Sequence, residues 1–205
     1  TLDRSSAASD VYKRQVFSGA DTRLLLVTAS VVALLLVITY RSPWLWLVPL
    51  AVIGIGDRVA AKALETFSAW ADFPIDGSIT GITSVLVFGA GTNYALLLIA
   101  RYREELRRHE SRHDAMRFAV GAAAPAILSS SGTVILGLLA LLIADSPFVS
   151  RIGMAGAIGL MVAVFFALVV LPAAMSLPGR WLFWPFVPRY GDDDPSHRGW
   201  WHRVG

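Results

Sequence analysis

Hydrophobic positions fall into long uninterrupted runs, and the charges gather between them. Leu24–Tyr40 carries no charge and is bracketed by Arg23 and Arg41. Ser42–Gly56 is also uncharged but short, and it continues into a mixed stretch from Asp57 to Glu65. Ser78–Ala100, Phe118–Ala144 and Ile152–Gly179 are long and free of charge. A helix rises about 1.5 Å per residue, so about 20 mostly apolar residues cross a bilayer core. The pattern predicts an all-α integral membrane protein. Its bundle has about five transmembrane helices, near 22–41, 43–65, 78–100, 118–144 and 152–178.

Breaks between the runs carry turn chemistry. Arg41-Ser-Pro43 and Asp145-Ser-Pro147 are short turns, because proline disfavours helix at the residue before it. Residues 70–77, with Asp72, Pro74, Asp76 and Gly77, read as a loop. The charged stretch 101–117 reads as a surface helix, and Trp44 and Trp46 suit the interfacial aromatic belt. Pro125 and Pro172 lie inside apolar runs, where a kink is expected.

Composition sharpens this picture. Hydrophobic residues make up 55% of the 205 positions and charged residues 16%, where soluble domains carry about a quarter. Mean hydropathy is +0.58. These values disfavour a soluble enzyme, a disordered chain and a nucleic-acid-binding domain. The net charge of +3 therefore indicates no nucleic-acid partner. Without cysteine there is no disulfide, thiolate nucleophile or Cys-based zinc site. Arg far outnumbers Lys and Ala and Gly are abundant, which fits a high-GC bacterial genome.

The arginines also predict orientation. The 101–117 stretch holds Arg101, Arg103, Arg107, Arg108, Arg112 and Arg117; the tail holds Arg180, Arg189, Arg198 and Arg203. With alternating spans these share one side with Arg41, and the Arg-rich side is cytoplasmic. The first span then starts outside. With no signal peptide in view, an earlier spanning helix is expected, so the chain reads as an interior piece of a longer protein. Residues 1–15 read as a non-native or disordered leader, since Ser5–Gln15 resembles translated adapter sequence. The aromatic stretch Trp181–Phe186 suits the cytoplasmic interface. Residues 191–205 read as a disordered cytoplasmic tail, with Asp192, Asp193 and Asp194 as a solvated acidic turn.

Polar groups at membrane depth are costly and mark function or partners. Thr92, Asn93 and Tyr94 lie in the third predicted span, and Asn93 is about 12 Å from the Arg101 boundary. Ser129, Ser130, Ser131 and Thr133 lie in the fourth, about 16 Å deep at Ser129. Antiparallel neighbours would bring these groups to one depth. They form either a polar relay near the midplane or hydrogen bonds that hold the bundle together. Gly153, Gly156 and Gly159 permit close helix approach, though a spacing of three gives no straight stripe. Asp57, Arg58, Lys62 and Glu65 read as solvated charges on a helix leaving the membrane.

His109-Glu110-Ser111-Arg112-His113 matches H-E-x-x-H, which on a helix would place two imidazoles on a zinc with Glu110 as base. Arg107, Arg108, Arg112 and Arg117 would repel a divalent cation there, so no metal or other cofactor is expected. No histidine lies in a predicted span to activate Ser129, Ser130 or Ser131, which argues against a membrane hydrolase.

The strings themselves carry a resemblance. Val87-Phe-Gly-Ala-Gly-Thr-Asn93-Tyr94-Ala-Leu-Leu-Leu followed by Arg101-Tyr-Arg-Glu-Glu-Leu106 resembles the signature of the MMPL family, within the resistance-nodulation-division (RND) transporter superfamily. Tyr40-Arg-Ser-Pro43, Ala124–Ser131, Gly153-Met-Ala-Gly156 and Trp181–Phe186 add to it over residues 16–190. The resemblance implies two similar halves, each with one helix, a large extracytoplasmic domain and five further helices. The chain is then similar to the last five helices of the N-terminal half. It would lack the porter-like domain and the second half-bundle, which become its partners, alongside membrane lipids and the possibility of an oligomer. The implied activity is proton-driven export of lipids or hydrophobic compounds across a bacterial cell membrane. An Asp-Tyr pair often stands in the family motif where this chain has Asn93-Tyr94, and that Asp belongs to the proton relay. The departure implies either a carboxylate from the other half, shelled by Asn93, Tyr94 and Ser129–Ser131, or altered coupling. A non-transporting, sterol-sensing-like lipid-binding bundle is the other reading of the same helices.

Overall fold

A computed structural model describes residues 26, 27, 30, 31, 33, 34, 45–71, 73–179 and 183. The leader, nearly all of the first predicted span, Trp44 and the acidic tail lie outside these residues. Within them the chain is helical and has no strand. Helix α1 runs Leu47–Ala71, α2 Gly77–Arg108, α3 Arg112–Ala140 and α4 Pro147–Phe165. A π-helical turn, Phe166–Val170, joins α4 to the short α5, Leu171–Ser176. Among the described residues, three stretches are long and apolar enough to cross a membrane: Gly77–Arg108, Arg112–Ile143 and Pro147–Ser176. Helix α1 has the length, at 25 residues, but carries Asp57, Arg58, Lys62 and Glu65.

Each start has a local cause. Asp76 caps α2, its carboxylate accepting from the Ile79 backbone N–H at 2.9 Å. Ser111 caps α3, accepting from the Asp114 N–H, with Asp114 favourably placed on the helix dipole. Pro147 opens α4, where a missing N–H costs nothing. Truncating Asp76 to alanine is expected to cost about 0.5–2 kcal/mol, read as a lower unfolding midpoint in detergent. An unchanged midpoint would remove the cap from the account.

The stretch 101–117 is not one surface helix. Helix α2 carries on unbroken to Arg108, the backbone extends at His109, and α3 starts at Arg112. The reason is that the charged run has its own buried face: Tyr102, Glu105 and Leu106 are enclosed. Likewise α1 reaches Ala71, well past the expected limit at 65.

Helices α1, α2 and α4 pack against one another, and α3 lies against α2 and α4. Helices α1 and α2 are antiparallel: Ile53 meets Gly91, and Asp57 meets Ser84. On α3 the buried positions Ala115, Ala119, Ala123, Ile127 and Ser131 recur every four residues, joined by Met116. The rest of α3 faces outward, including Phe118, Leu128, Val134 and Leu136. Lipid solvates such a surface, whereas water would not. Gly153, Gly156 and Gly159 all sit at contacts. Three residues turn a helix by about 300°, so successive glycines swing round α4. Gly153 meets the end of α3, Gly156 meets Leu138 and Leu86, and Gly159 meets Thr83 and Val87 of α2. A stripe that drifts is what a helix wedged between two partners requires.

Pro125 stands within α3 without ending it. Pro172 follows the π-turn, where the hydrogen-bond ladder shifts by one residue and makes room for the ring. The turn also places Phe166 against Gly56 of α1, with its ring carbon 3.0 Å from where a Cβ would stand.

Candidate functional site

The midplane candidates divide by face. Tyr94 is 4% exposed and belongs to the core, while its neighbour Asn93 is exposed. Ser131 is buried, while Ser129 and Ser130 face outward. The serines turn back on their own helix: Ser129 donates to Ala126 O at 3.2 Å and Ser131 to Leu128 O at 3.3 Å. Thr133 donates to Ser129 O at 3.0 Å, and Thr92 to Gly89 O at 2.9 Å. Among the described residues no hydrogen bond joins Asn93 or Tyr94 to these serines. Asn93, Ser129 and Ser130 therefore present polar groups at the outside of this helix set.

The H-E-x-x-H string straddles the break between α2 and α3. His109 is the C-cap of α2, Glu110 lies in the turn and His113 is in the first turn of α3. The two imidazoles are thus not one helical turn apart, the geometry the zinc reading needs. His109 is otherwise engaged: its ring stacks on Phe118 with centroids 4.5 Å apart, and Nδ1 lies 3.2 Å from Glu105 Oε2. Arg108 reaches Glu104 at 2.7 Å and Glu105 at 3.5 Å, and Arg101 reaches Glu104 at 3.1 Å. Arg112 donates to Leu177 O at 3.1 Å, tying the start of α3 to the end of α5. This end of the bundle is bound into a network of structural contacts. Phe183, from the expected interfacial stretch, is buried against Tyr102, with centroids 6.1 Å apart.

Sequence reasoning missed Asp57. It does not emerge into solvent. It is 7% exposed, enclosed between α1 and α2, and its Oδ1 accepts from the Ser84 hydroxyl. Arg58 and Lys62 do lie exposed, and Lys62 pairs with Glu65 at 2.7 Å. The signal was available, since Asp57 follows an apolar run and Thr80, Thr83 and Ser84 share a helical face of the next span. It was masked by the shortness of the run 42–56, which made Asp57 look like an exit.

A pocket lies between α1, α2, α4 and the π-turn. Val52, Ile53, Gly56, Val87, Gly91 and Phe166 line it, with Ala163, Ala167 and Leu171. Its walls are apolar.

Comparison with known proteins agrees with the membrane architecture. The family model described as the MMPL family matches residues 5–205. The membrane protein ActII-3 of Streptomyces coelicolor is 43% identical over 188 residues, covering 92% of this chain and 26% of the relative. The apo-petrobactin exporter of Bacillus anthracis is 38% identical over 174 residues, covering 85% and 23% respectively. A Mycobacterium tuberculosis protein named as transport protein MmpL12 is 34% identical over 155 residues, covering 75% and 13%. The chain thus spans about a quarter or less of the length of these relatives. Matched along nearly all its length, and built of apolar helices long enough to span a bilayer, this chain belongs to the MMPL family of membrane proteins.

Proposed function

We propose that the chain is the membrane module of the N-terminal half of an RND-type exporter, driven by the proton-motive force and acting on lipids or hydrophobic compounds. It is not itself an enzyme. Its Arg-rich end faces the cytoplasm, and its partners are the surrounding lipid, the porter-like domain and a second half-bundle of the same polypeptide.

The observation that carries this reading is the outward placement of Asn93, Ser129 and Ser130 among outward residues that, from Ile82 to Leu97 and from Phe118 to Leu136, are otherwise apolar but for Thr133. The Asn93 amide, turned away from its own bundle at membrane depth, needs a polar partner beyond it. A carboxylate on the second half-bundle supplies one: Asn93 donates through its amide, and the serines flank it. Tyr94 and Ser131, buried just behind, hold that surface in place. Asn93 does not titrate, so the proton in this reading is carried by the opposing carboxylate.

The test uses the full reading frame. Asn93→Leu should lower proton-coupled export by about fivefold or more, the lower range for coupling between linked sites. Expression and membrane insertion should stay normal. Export unchanged at normal expression would refute the assignment.

A further inference from the structure

Among the described residues, Asp57 is a carboxylate with no ion-pair partner. It lies 7% exposed on α1, a helix of a membrane bundle. Ser84 of α2 donates to its Oδ1. The two share a cavity with room for about one water molecule, whose walls include Thr80, Thr83, Ala61 and Leu64. The Thr83 hydroxyl is buried there, with the residue 4% exposed, and has no hydrogen-bond partner among the described residues. Gly159 explains its placement, because a Cβ on α4 would stand 2.5 Å from Thr83 Cγ2. The methyl faces α4 and the hydroxyl is left to the cavity.

Among the described residues, no charged group other than Asp57 lines the cavity. On α1, Arg58 and Lys62 point outward, and Lys62 is held by Glu65 at 2.7 Å. On α2, the other carboxylate at this end is Asp76, exposed at the helix start. On α4, Arg151 lies outside the cavity lining. A buried carboxylate needs a neutralising ligand. A metal cation would have to bridge the carboxylate and the hydroxyls. Ser84 has already closed onto Oδ1, and the Thr80 hydroxyl is turned to Asp76 O at 3.2 Å. A proton needs none of that space.

A polar face of α2 also leads toward it. Asp76, Thr80 and Ser84 are spaced by four along α2, so they stack on one face. Asp76 is exposed, Thr80 half-buried, and Ser84 touches Asp57. The ladder runs from the surface to the carboxylate over about 12 Å. Asn93 lies nine residues beyond Ser84, about 14 Å further along the same helix.

We propose that Asp57, with Ser84 and Thr83, is a proton-binding site between α1 and α2, loaded along the Asp76–Thr80–Ser84 face and distinct from the Asn93–Tyr94 position. The proton adds to Oδ2, Oδ1 stays the acceptor for Ser84, and the Thr83 hydroxyl lies within the same cavity. Use of this site in energy coupling rests on the transport reading, but its protonation does not.

Infrared difference spectroscopy decides it, on the full reading frame in lipid vesicles shifted between alkaline and acid pH. The wild type should gain a carboxylic C=O band on acidification. Asp57→Asn should lose that band completely, and Ser84→Ala should shift its frequency without removing it. Superimposable wild-type and Asp57→Asn spectra would overturn the proposal. So would sodium chloride abolishing the wild-type band at fixed pH, which marks a sodium site instead. If Asp57→Asn fails to fold, the Ser84→Ala spectrum still decides, because an unmoved band refutes the contact. A band present without export defeats the transport reading alone, and export without the band defeats this one alone.

Discussion

Gly153→Val should lower the unfolding free energy of the detergent-solubilised protein by about 1–3 kcal/mol or more, the range for forcing atoms into a packed interior. At Gly153 α4 passes so close to the end of α3 that any Cβ would overlap the Leu138 carbonyl oxygen and lie 2.8 Å from Leu141 Cβ. The first obstacle is backbone, which cannot rotate aside as a side chain does. The two helices must separate, and Gly156 and Gly159 lose their contacts with them. Gly121 of α3 makes the internal control, because nothing lies within 4 Å of its Cβ position. There alanine should stabilise by about 0.4–1 kcal/mol, through the reduced freedom of the unfolded chain. The pair of opposite signs is the prediction. Equal midpoints for Gly153→Val and Gly121→Ala would mean the close approach does not exist.

Tyr102→Ala should cost about 3–5 kcal/mol, as for other large aromatic truncations in a packed interior. Tyr102 stands two residues after the end of the third apolar run and amid arginines and glutamates, yet it is 0% exposed. Its ring packs on Phe183, with an interplanar angle of 48°. Phe183→Ala alone should cost less if the Tyr102 ring remains anchored by Leu98 and Leu106 in the same cluster. The double variant should then fall short of the sum by about 0.5–1.5 kcal/mol, the worth of an aromatic pair beyond its burial. Unfolding in denaturant, followed by far-ultraviolet circular dichroism, reads all three. A Tyr102→Ala loss no larger than that of the exposed Leu136→Ala would show that the ring is not enclosed.

These two positions show where pattern reading stops. The spacing of Gly153, Gly156 and Gly159 gives no straight stripe, as packing against one neighbour would require. Against two neighbours the drift is what fits. The run from Arg101 to Arg117 looked like a solvated helix because its charges were weighed together. The charges share it with a buried edge at Tyr102, Glu105 and Leu106, and His109 to Ser111 break it. Asp57 differs from its sequence expectation for the same reason. Its neighbours Arg58, Lys62 and Glu65 do face out, and only the direction of one residue on the helix separates it from them.

Sequence alone determined the class of this protein. Charge-free runs of spanning length, breaks at Asp145-Ser-Pro147 and across the 70–77 loop, and the family strings around Asn93-Tyr94 follow from local composition and order, which need no knowledge of contacts. Tertiary structure decided the faces: Tyr94 inward and Asn93 outward, Ser131 inward and Ser129 outward, Asp57 onto Ser84. A helix in lipid is apolar almost all round, so its hydrophobic pattern carries little information about which side meets protein. That side is set by which neighbours arrive, and those neighbours are distant in the chain.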